Sequence, residues 1–346
     1  MEHTGPVDVI RWLDPPAVAL LDQTRLPAEE TEITCRTADE LIGAIRRLAV
    51  RGAPLLGIAG AYGVALAART EDDVPAAAKR LADARPTAVN LALGVRRALA
   101  AWERTGPAGA LEAARALARE EAEASARMAA HGLAALPGGP LRLLTHCNTG
   151  ALAAGGDGTA LAVVLAAHRA GRLRHLWIDE TRPLFQGARL TAWEAERAGL
   201  PYSVLPDSAA GSLFAAGLVD AVLVGADRVA ADGSVANKVG TYPLAVLARH
   251  HGVPFIVVAP TTTVDPGTPT GAGIVIERRP AREVTHPGGT AVAPEGADAY
   301  NPAFDVTPPE LVTAFVSERG ITQPVSTGSL RRLPQTHHPD CENEGP

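Results

Sequence analysis

The residue types most able to do chemistry in this chain cluster around Cys147. An apolar run, Leu141, Leu143 and Leu144 with Arg142 interrupting it, leads into Thr145-His146-Cys147-Asn148-Thr149-Gly150. Gly155, Gly156 and Gly158 follow, and then a helical pattern from Thr159 to His168. A strand that ends on a thiol and passes into a helix N-terminus presents backbone N–H groups to an anion. Such surroundings lower a cysteine pKa, so an available thiolate is expected. His146 does not suggest a thiol-protease dyad, because adjacent strand residues point to opposite faces.

Other segments add polar groups at the ends of apolar runs. Asp227, in Gly225-Ala226-Asp227-Arg228, follows Val222-Leu223-Val224. A carboxyl there is partly desolvated and its pKa rises, which suits a general acid, although a helix cap or an arginine pair explains it equally well. Asn237 and Lys238 come just before a helix opening near Val239-Gly240, where an ammonium reinforces an anion site. A solvated lysine is the plainer alternative. In Arg51-Gly52-Ala53-Pro54, Gly52 lets backbone approach a ligand and Arg51 can pair bidentately with phosphate. The same residues also make an ordinary joint between two helices. Arg85 precedes a proline suited to a first helical turn. In the loop from Asp179 to Arg189, Gln186 offers both donor and acceptor, while Asp179 and Arg182 can simply pair with each other. There is no zinc-ligand spacing, no Walker lysine and no dinucleotide fingerprint.

These groups need a scaffold, and the chain is long enough to build one. It has 346 residues, of which 47% are hydrophobic and 20% charged, with a net charge of −6. The acidic balance argues against a nucleic-acid partner. Three cysteines, Cys35, Cys147 and Cys341, make no disulfide framework, and Cys35 reads as a packed small hydrophobe. The N-terminus has no signal-peptide pattern, and the apolar stretches are broken well short of a membrane span. No membrane partner and a cytoplasmic location are expected.

Residues 1–136 read as a mainly helical N-terminal domain. Thr37 and Glu40 fit a capping box, and helical runs cover Leu55–Ala68 and Gly109–Leu136. Pro137-Gly138-Gly139-Pro140 is a breaker. Residues 137–325 then alternate strands (Leu141–His146, His175–Asp179, Tyr202–Leu205, Ala221–Gly225, Pro254–Ala259) with helices. The fold class expected is α/β, with a doubly wound parallel, Rossmann-like sheet. Ligands in that architecture sit beyond the carboxyl ends of the strands, which here carry Cys147, Asp179-Glu180, Asp207 and Asp227. Residues 326–346 read as a disordered tail, so His337, His338 and Cys341 are not taken as a metal cluster.

Taken together, these segments resemble the methylthioribose-1-phosphate isomerase family of methionine salvage. The matching pieces run from Leu20–Pro27 through Arg51–Pro54, Arg85–Leu91, Thr145–Gly150, Asp179–Ala192, Gly225–Ala230 and Ala236–Thr241 to Asn301–Pro308. The wider superfamily includes ribose-1,5-bisphosphate isomerases and non-catalytic subunits of the eukaryotic initiation-factor exchange complex. The resemblance implies that Cys147 and Asp227 are the catalytic pair. It maps substrate and phosphate contacts to Arg51, Gly52, Ala53, Arg85, Gln186, Asn237 and Lys238. It also implies a homodimer acting on a small sugar phosphate, with no metal and no organic cofactor. Thr149, Pro243 and Glu277-Arg278-Arg279-Pro280 depart from the family pattern without removing a catalytic group.

The reaction implied is an aldose–ketose isomerisation of 5-methylthio-α-D-ribose 1-phosphate to 5-methylthio-D-ribulose 1-phosphate. An enediol path and a direct hydride shift are both open. Two rival readings stand beside it, an isomerase for a related sugar 1-phosphate (ribose 1,5-bisphosphate or 5-deoxyribose 1-phosphate) and a regulatory module of the same fold.

Overall fold

A computed structural model describes residues 8–86 and 88–332. The chain begins with a three-stranded antiparallel sheet of β1 (Ile10–Leu13), β2 (Ala17–Leu21) and β3 (Glu32–Cys35). The sequence predicts a mainly helical domain over this stretch, and the sheet is a correction to it. Cys35 is buried in β3, as expected, and burial pushes its thiol up to about 11. Four helices follow, α1 (Ala38–Arg46), α2 (Ala53–Thr70), α3 (Val74–Ala82) and α4 (Val89–Ala135). Thr37 caps α1 by accepting from the Glu40 N–H, but the Glu40 carboxylate reaches the Arg36 N–H rather than that of the cap residue. α4 bends at Gly106, whose backbone is non-helical just before Pro107.

α2 has the length and apolarity of a membrane span, which corrects the reading that every apolar stretch is too broken for one. Its glycines do not break it because they are contact points. A Cβ on Gly94 of α4 would lie 2.0 Å from the Gly57 oxygen, so bare backbone lets the two helices meet. Tertiary packing here overrides the helix cost of glycine. α2 is buried from Pro54 to Ala67 at the centre of the N-terminal core.

The second half alternates as the apolar runs suggest. It contains β4 (Leu141–Thr145), α5 (Ala151–Ala154), α6 (Ala160–Arg169), β5 (Leu173–Asp179), α7 (Ala192–Arg197), β6 (Tyr202–Leu205), α8 (Ala210–Ala215) and β7 (Ala221–Val224). There follow β8 (Arg228–Ala230), β9 (Val235–Lys238), α9 (Thr241–His251), β10 (Phe255–Val258), β11 (Val264–Asp265), α10 (Arg282–Thr285), β12 (Phe304–Thr307), β13 (Ala314–Ser317), β14 (Gly320–Thr322) and α11 (Thr327–Leu330).

The main sheet has seven strands in the order β14-β13-β10-β7-β4-β5-β6, parallel except for the β14 edge. From β4 the chain winds outward through β5 and β6, then returns to the other side of β4 with β7, β10 and β13. The order therefore reverses between β4 and β7, and this switch point is where a ligand crevice opens in such sheets. A further four-stranded sheet, β11-β8-β9-β12, lies beyond β7 in the chain and was not anticipated.

The expected disorder from residue 326 does not hold at its start. Ser326 caps α11 through a reciprocal bond with Ser329, and Leu330 is buried in the core. His337, His338 and Cys341 lie outside the described residues.

Candidate active site

Cys147 follows β4 and Asp227 follows β7, the two strands that flank the switch point. Both line one cleft at the carboxyl edge of the sheet. Arg51, Gly52, Ala53, Arg85, Gln186, Asn237 and Lys238 line the same cleft, so all nine residues singled out from the sequence converge there. The walls between them are largely apolar, with Leu48, Pro54, Ala153, Leu184, Pro260 and Phe304.

Cys147 adopts a left-handed backbone, φ 64°, which a residue with a Cβ avoids. Strain of this kind costs about 1–3 kcal/mol and persists only where the surroundings enforce it. Here the Cys147 N–H donates to Thr181 Oγ1 at 2.8 Å, and its carbonyl accepts from Thr191 Oγ1 at 2.7 Å. The turn thus aims the thiol into the cleft. The expected fall in its pKa does not occur. Burial pushes the thiol up, further than Arg51 and Lys238 pull it down, and Asp227 adds to the rise. The cysteine sits ahead of α5, which is a single turn, so dipole help is small.

Burial likewise raises the Asp227 carboxyl, against the opposing pull of Lys238, Arg85 and Arg51. This agrees with the expectation of a partly desolvated acid. Its backbone N–H is held by the Ala236 carbonyl at 2.9 Å, which ties the residue to β9. β9 delivers Asn237 and Lys238. Lys238 Nζ donates to the Ala303 carbonyl at 2.9 Å and lies 4.7 Å from the centre of the Phe304 ring. Burial lowers its pKa, while Cys147 and Asp227 raise it. Asn237 Nδ2 donates to Thr241 Oγ1 at 2.9 Å.

The phosphate-binding candidates come from the N-terminal half. Gly52 caps α2 with no side-chain partner for the helix end, so the N-terminal end of this 18-residue helix opens on the cleft. Arg51 is buried and donates to both the carbonyl and Oδ1 of Asn148. Arg85 pairs with Glu277 at 2.9 Å, and Glu277 also holds Arg279 at 2.8 Å. Gln186 is buried with its Oε1 unpartnered, an acceptor left for a ligand hydroxyl.

Several residues escaped the sequence reading. Arg279 lines the cleft. Glu194, on α7, is buried behind the Cys147 turn and accepts from Asn148 Nδ2 at 2.5 Å. Asp179 does not pair with Arg182, as the plainer reading had it. It faces His146, and Arg182 donates instead to the Val284 carbonyl. His146, Asp179 and Asp207 are close enough to suggest a metal site. Their atoms, Asp179 Oδ1 apart, are already used, however. Both His146 nitrogens are engaged, and the Asp207 oxygens accept from the Thr181 and Arg182 N–H groups.

Comparisons with known proteins identify the family. Residues 49–324 match the model of the initiation factor 2 subunit family. A methylthioribose-1-phosphate isomerase from Pelotomaculum thermopropionicum is 49% identical over 342 residues, 94% of each chain. The crystal structure of 5-methylthioribose 1-phosphate isomerase from Pyrococcus horikoshii superposes with a TM-score of 0.87 at 39% identity, covering 94% of this chain and 95% of that one. A structure described as translation initiation factor eIF-2B, subunit delta, from A. fulgidus gives 0.80 at 43% identity, covering 93% and 98%. The chain belongs to the initiation factor 2 subunit family and, within it, to the methylthioribose-1-phosphate isomerases.

Proposed function

We propose that this protein is an aldose–ketose isomerase that converts 5-methylthio-α-D-ribose 1-phosphate to 5-methylthio-D-ribulose 1-phosphate, with Asp227 as the acid and Cys147 as the base. One observation carries the assignment of roles. A carboxyl and a thiol, one from each strand of the switch point, share a largely apolar cleft with four cations and an open helix N-terminus.

Phosphate on C1 prevents the ring from opening spontaneously. Arg51, Arg85, Lys238 and the Gly52-Ala53 backbone are placed to hold that phosphate, which fixes C1 and lowers the entropic part of the barrier. Asp227 gives its proton to the ring oxygen as the bond from that oxygen to C1 breaks. A carboxyl kept neutral by burial suits this step. On the enediol path Cys147 accepts the proton from C2, delivers a proton from its thiol to C1, and then takes the proton that leaves the C2 hydroxyl. On the hydride path, C2–H moves to C1 with its electron pair and Cys147 takes the hydroxyl proton. Either way the enzyme ends with its proton on sulfur, and return to Asp227 resets the pair.

This scheme needs one proton shared between two groups that each hold theirs tightly. The reactive arrangement has the proton on Asp227 and a thiolate on Cys147. Arg51 and Lys238 stabilise the thiolate, while burial keeps the proton on Asp227 against the pull of the same cations. Leu48, Leu184 and Phe304 offer the cleft apolar surface that suits a methylthio group.

Incubation of the purified protein with the methylthio substrate, followed by NMR, tests the reading. Ketose formation is expected, with little turnover of ribose 1,5-bisphosphate. Failure to convert the methylthio substrate overturns it. In D₂O, deuterium at C1 of the product marks the enediol path. A homodimer working without metal or organic cofactor completes the proposal and rests on the family resemblance, and the cytoplasm is the location proposed with it. Light scattering of the purified protein checks the dimer.

A further inference from the structure

His146 is completely buried, and the chemistry above makes no use of it. Its Nδ1 lies 2.9 Å from Asp179 Oδ2 at the end of β5. Its Nε2 lies 2.8 Å from the Val239 carbonyl oxygen, in the turn between β9 and α9. Both neighbours are acceptors, and a neutral imidazole has a single N–H to give. The arrangement therefore holds one proton more than a neutral ring and a carboxylate possess. Histidine is ordinarily the stronger base by about 2–3 pKa units; burial raises the Asp179 carboxyl and the ring beside it pulls it back down, so the extra proton is assigned to the ring.

The surroundings favour that charge. Asp179 faces the ring from β5, Asp207 from the turn after β6, and Asp305 from β12. Lys238, one residue before the carbonyl partner, is the cation on that side. Burial works against the charge, and Asp179, helped by Asp207 and the Val239 carbonyl, outweighs it, which leaves the ring's pKa above its ordinary value. The fit is close as well as polar. A Cβ on Gly240 would stand 2.6 Å from His146 Cε1. Asp305 grips the far side of the same turn, accepting from the Gly240 and Tyr242 N–H groups at 2.7 and 3.1 Å.

We propose that His146 is a charged clamp, an imidazolium held between Asp179 and the Val239 carbonyl that fixes the turn directly after Asn237 and Lys238 against the turn bearing Cys147. It is a positioning residue, because its nitrogens are spent on protein atoms. The proposal rests on the reading above in so far as Cys147 and Lys238 are the reacting and anchoring groups. Lys238 stabilises the Cys147 thiolate from across the cleft. Releasing the turn lets the ammonium withdraw, and the thiolate becomes harder to form.

The charge is read directly by ¹⁵N NMR of histidine-labelled protein at pH 8, with the signal of this ring, one of ten histidines, assigned by its loss in His146→Gln. Both ring nitrogens protonated is the expected result, and an unprotonated nitrogen at pH 8 overturns the clamp. Function is read in His146→Gln, Asp179→Asn and the double variant. Each single change is expected to lower kcat on the order of 10- to 100-fold, the scale of a misplaced catalytic group. The double variant is expected to be no worse than the poorer single one. Alkylation of Cys147 by iodoacetamide, followed on its own peptide, is expected to move to higher pH in His146→Gln. A folded His146→Gln with unchanged kcat and alkylation profile sinks the clamp alone. Lack of isomerisation by the unmodified protein sinks the function and leaves the NMR and alkylation results standing.

Discussion

Arg51 is held by Asn148 through two oxygens at once. Its Nη2 donates to the Asn148 carbonyl at 3.0 Å and to Oδ1 at 2.9 Å. The amide nitrogen of Asn148 donates in turn to Glu194 Oε2 and Thr191 Oγ1. The arginine proposed to meet the phosphate is thus oriented by the residue next to the proposed base. Asn148→Ala removes the Oδ1 contact and leaves Glu194 without its amide donor. A hydrogen bond to a charged group contributes about 1.5–3 kcal/mol, which predicts a rise in KM of about 10- to 100-fold with a smaller change in kcat. Steady-state kinetics on a folded variant check this, and an unchanged KM counts against the role given to Arg51.

The shared proton makes its own prediction. Burial raises both Cys147 and Asp227, and the Asp227 charge raises Cys147 further. Such a pair titrates as a unit, with macroscopic pKa values that belong to neither residue alone. Activity should therefore follow a bell. The acid limb falls where both groups are protonated, and the alkaline limb falls where the pair has lost its last proton. Asp227→Asn and Cys147→Ala are each expected to cut kcat by at least ~100-fold, the usual scale for a general acid or base. Residual activity of Asp227→Asn should also lose the alkaline limb, because its amide no longer titrates. Near-normal rates in either folded variant would remove that residue from the mechanism.

Why these two residues were legible while others were not is a matter of where each signal lies. Cys147 and Asp227 come just after apolar runs of strand length, a doubly wound sheet brings such ends together, and the family resemblance singles out the two. Lys238 was visible as a residue, but its setting was not. It ends β9, a four-residue strand whose partners β8 and β12 are just as short. Strands of that length show too little alternation to read. Glu194 looks like any charged residue on a short helix, and only the packing of α7 behind the Cys147 turn buries it. The direction of the thiol's pKa was misjudged for a similar reason. Sequence shows the helix that follows, but not how much water the fold removes. β1 and β2 were missed because β2 is buried at nearly every position, which hides its period of two.

Arg85 should separate binding from stability. Its side chain is only 16% exposed, and its partner Glu277 is already shared with Arg279. Arg85→Ala leaves Glu277 paired, so no unpaired carboxylate is created and the melting temperature should change by little. Phosphate, however, loses a charge-assisted donor. We expect KM to rise by about tenfold or more, with partial recovery in Arg85→Lys, which keeps the charge but not the planar fork. A large loss of stability with unchanged KM would make the arginine structural.

Gly52 carries a constraint that no other residue can meet. Its φ is +97°, and a Cβ there would lie 2.3 Å from the Ala153 oxygen and 2.7 Å from the Ala153 Cβ. The obstacle is backbone of α5, which cannot swing aside as a side chain would. Gly52→Ala therefore has to push the open end of α2 away from the loop that follows Cys147. The expected cost is about 2 kcal/mol or more in unfolding free energy, together with weaker substrate binding. Denaturant unfolding and KM should move together. A variant as stable as the parent would show that the two elements are less tightly apposed than the structure has them.

Glu121 gives a prediction about stability alone. It is buried on α4, away from the cleft, and burial pushes its carboxyl up to about 8, helped by Glu318 and Glu120 and opposed by Arg97. The folded value lies above that of an exposed carboxyl, so folding favours the protonated form. Its contribution to stability is complete below the ordinary carboxylate range and is lost as pH climbs through about 8. Glu121→Gln keeps the shape and removes the titration. The variant should melt higher than the parent at pH 9, match it near pH 5, and isomerise at the parental rate. Melting curves taken across that range give the test, and a parent–variant difference that does not grow with pH would show that Glu121 ionises freely in the folded chain.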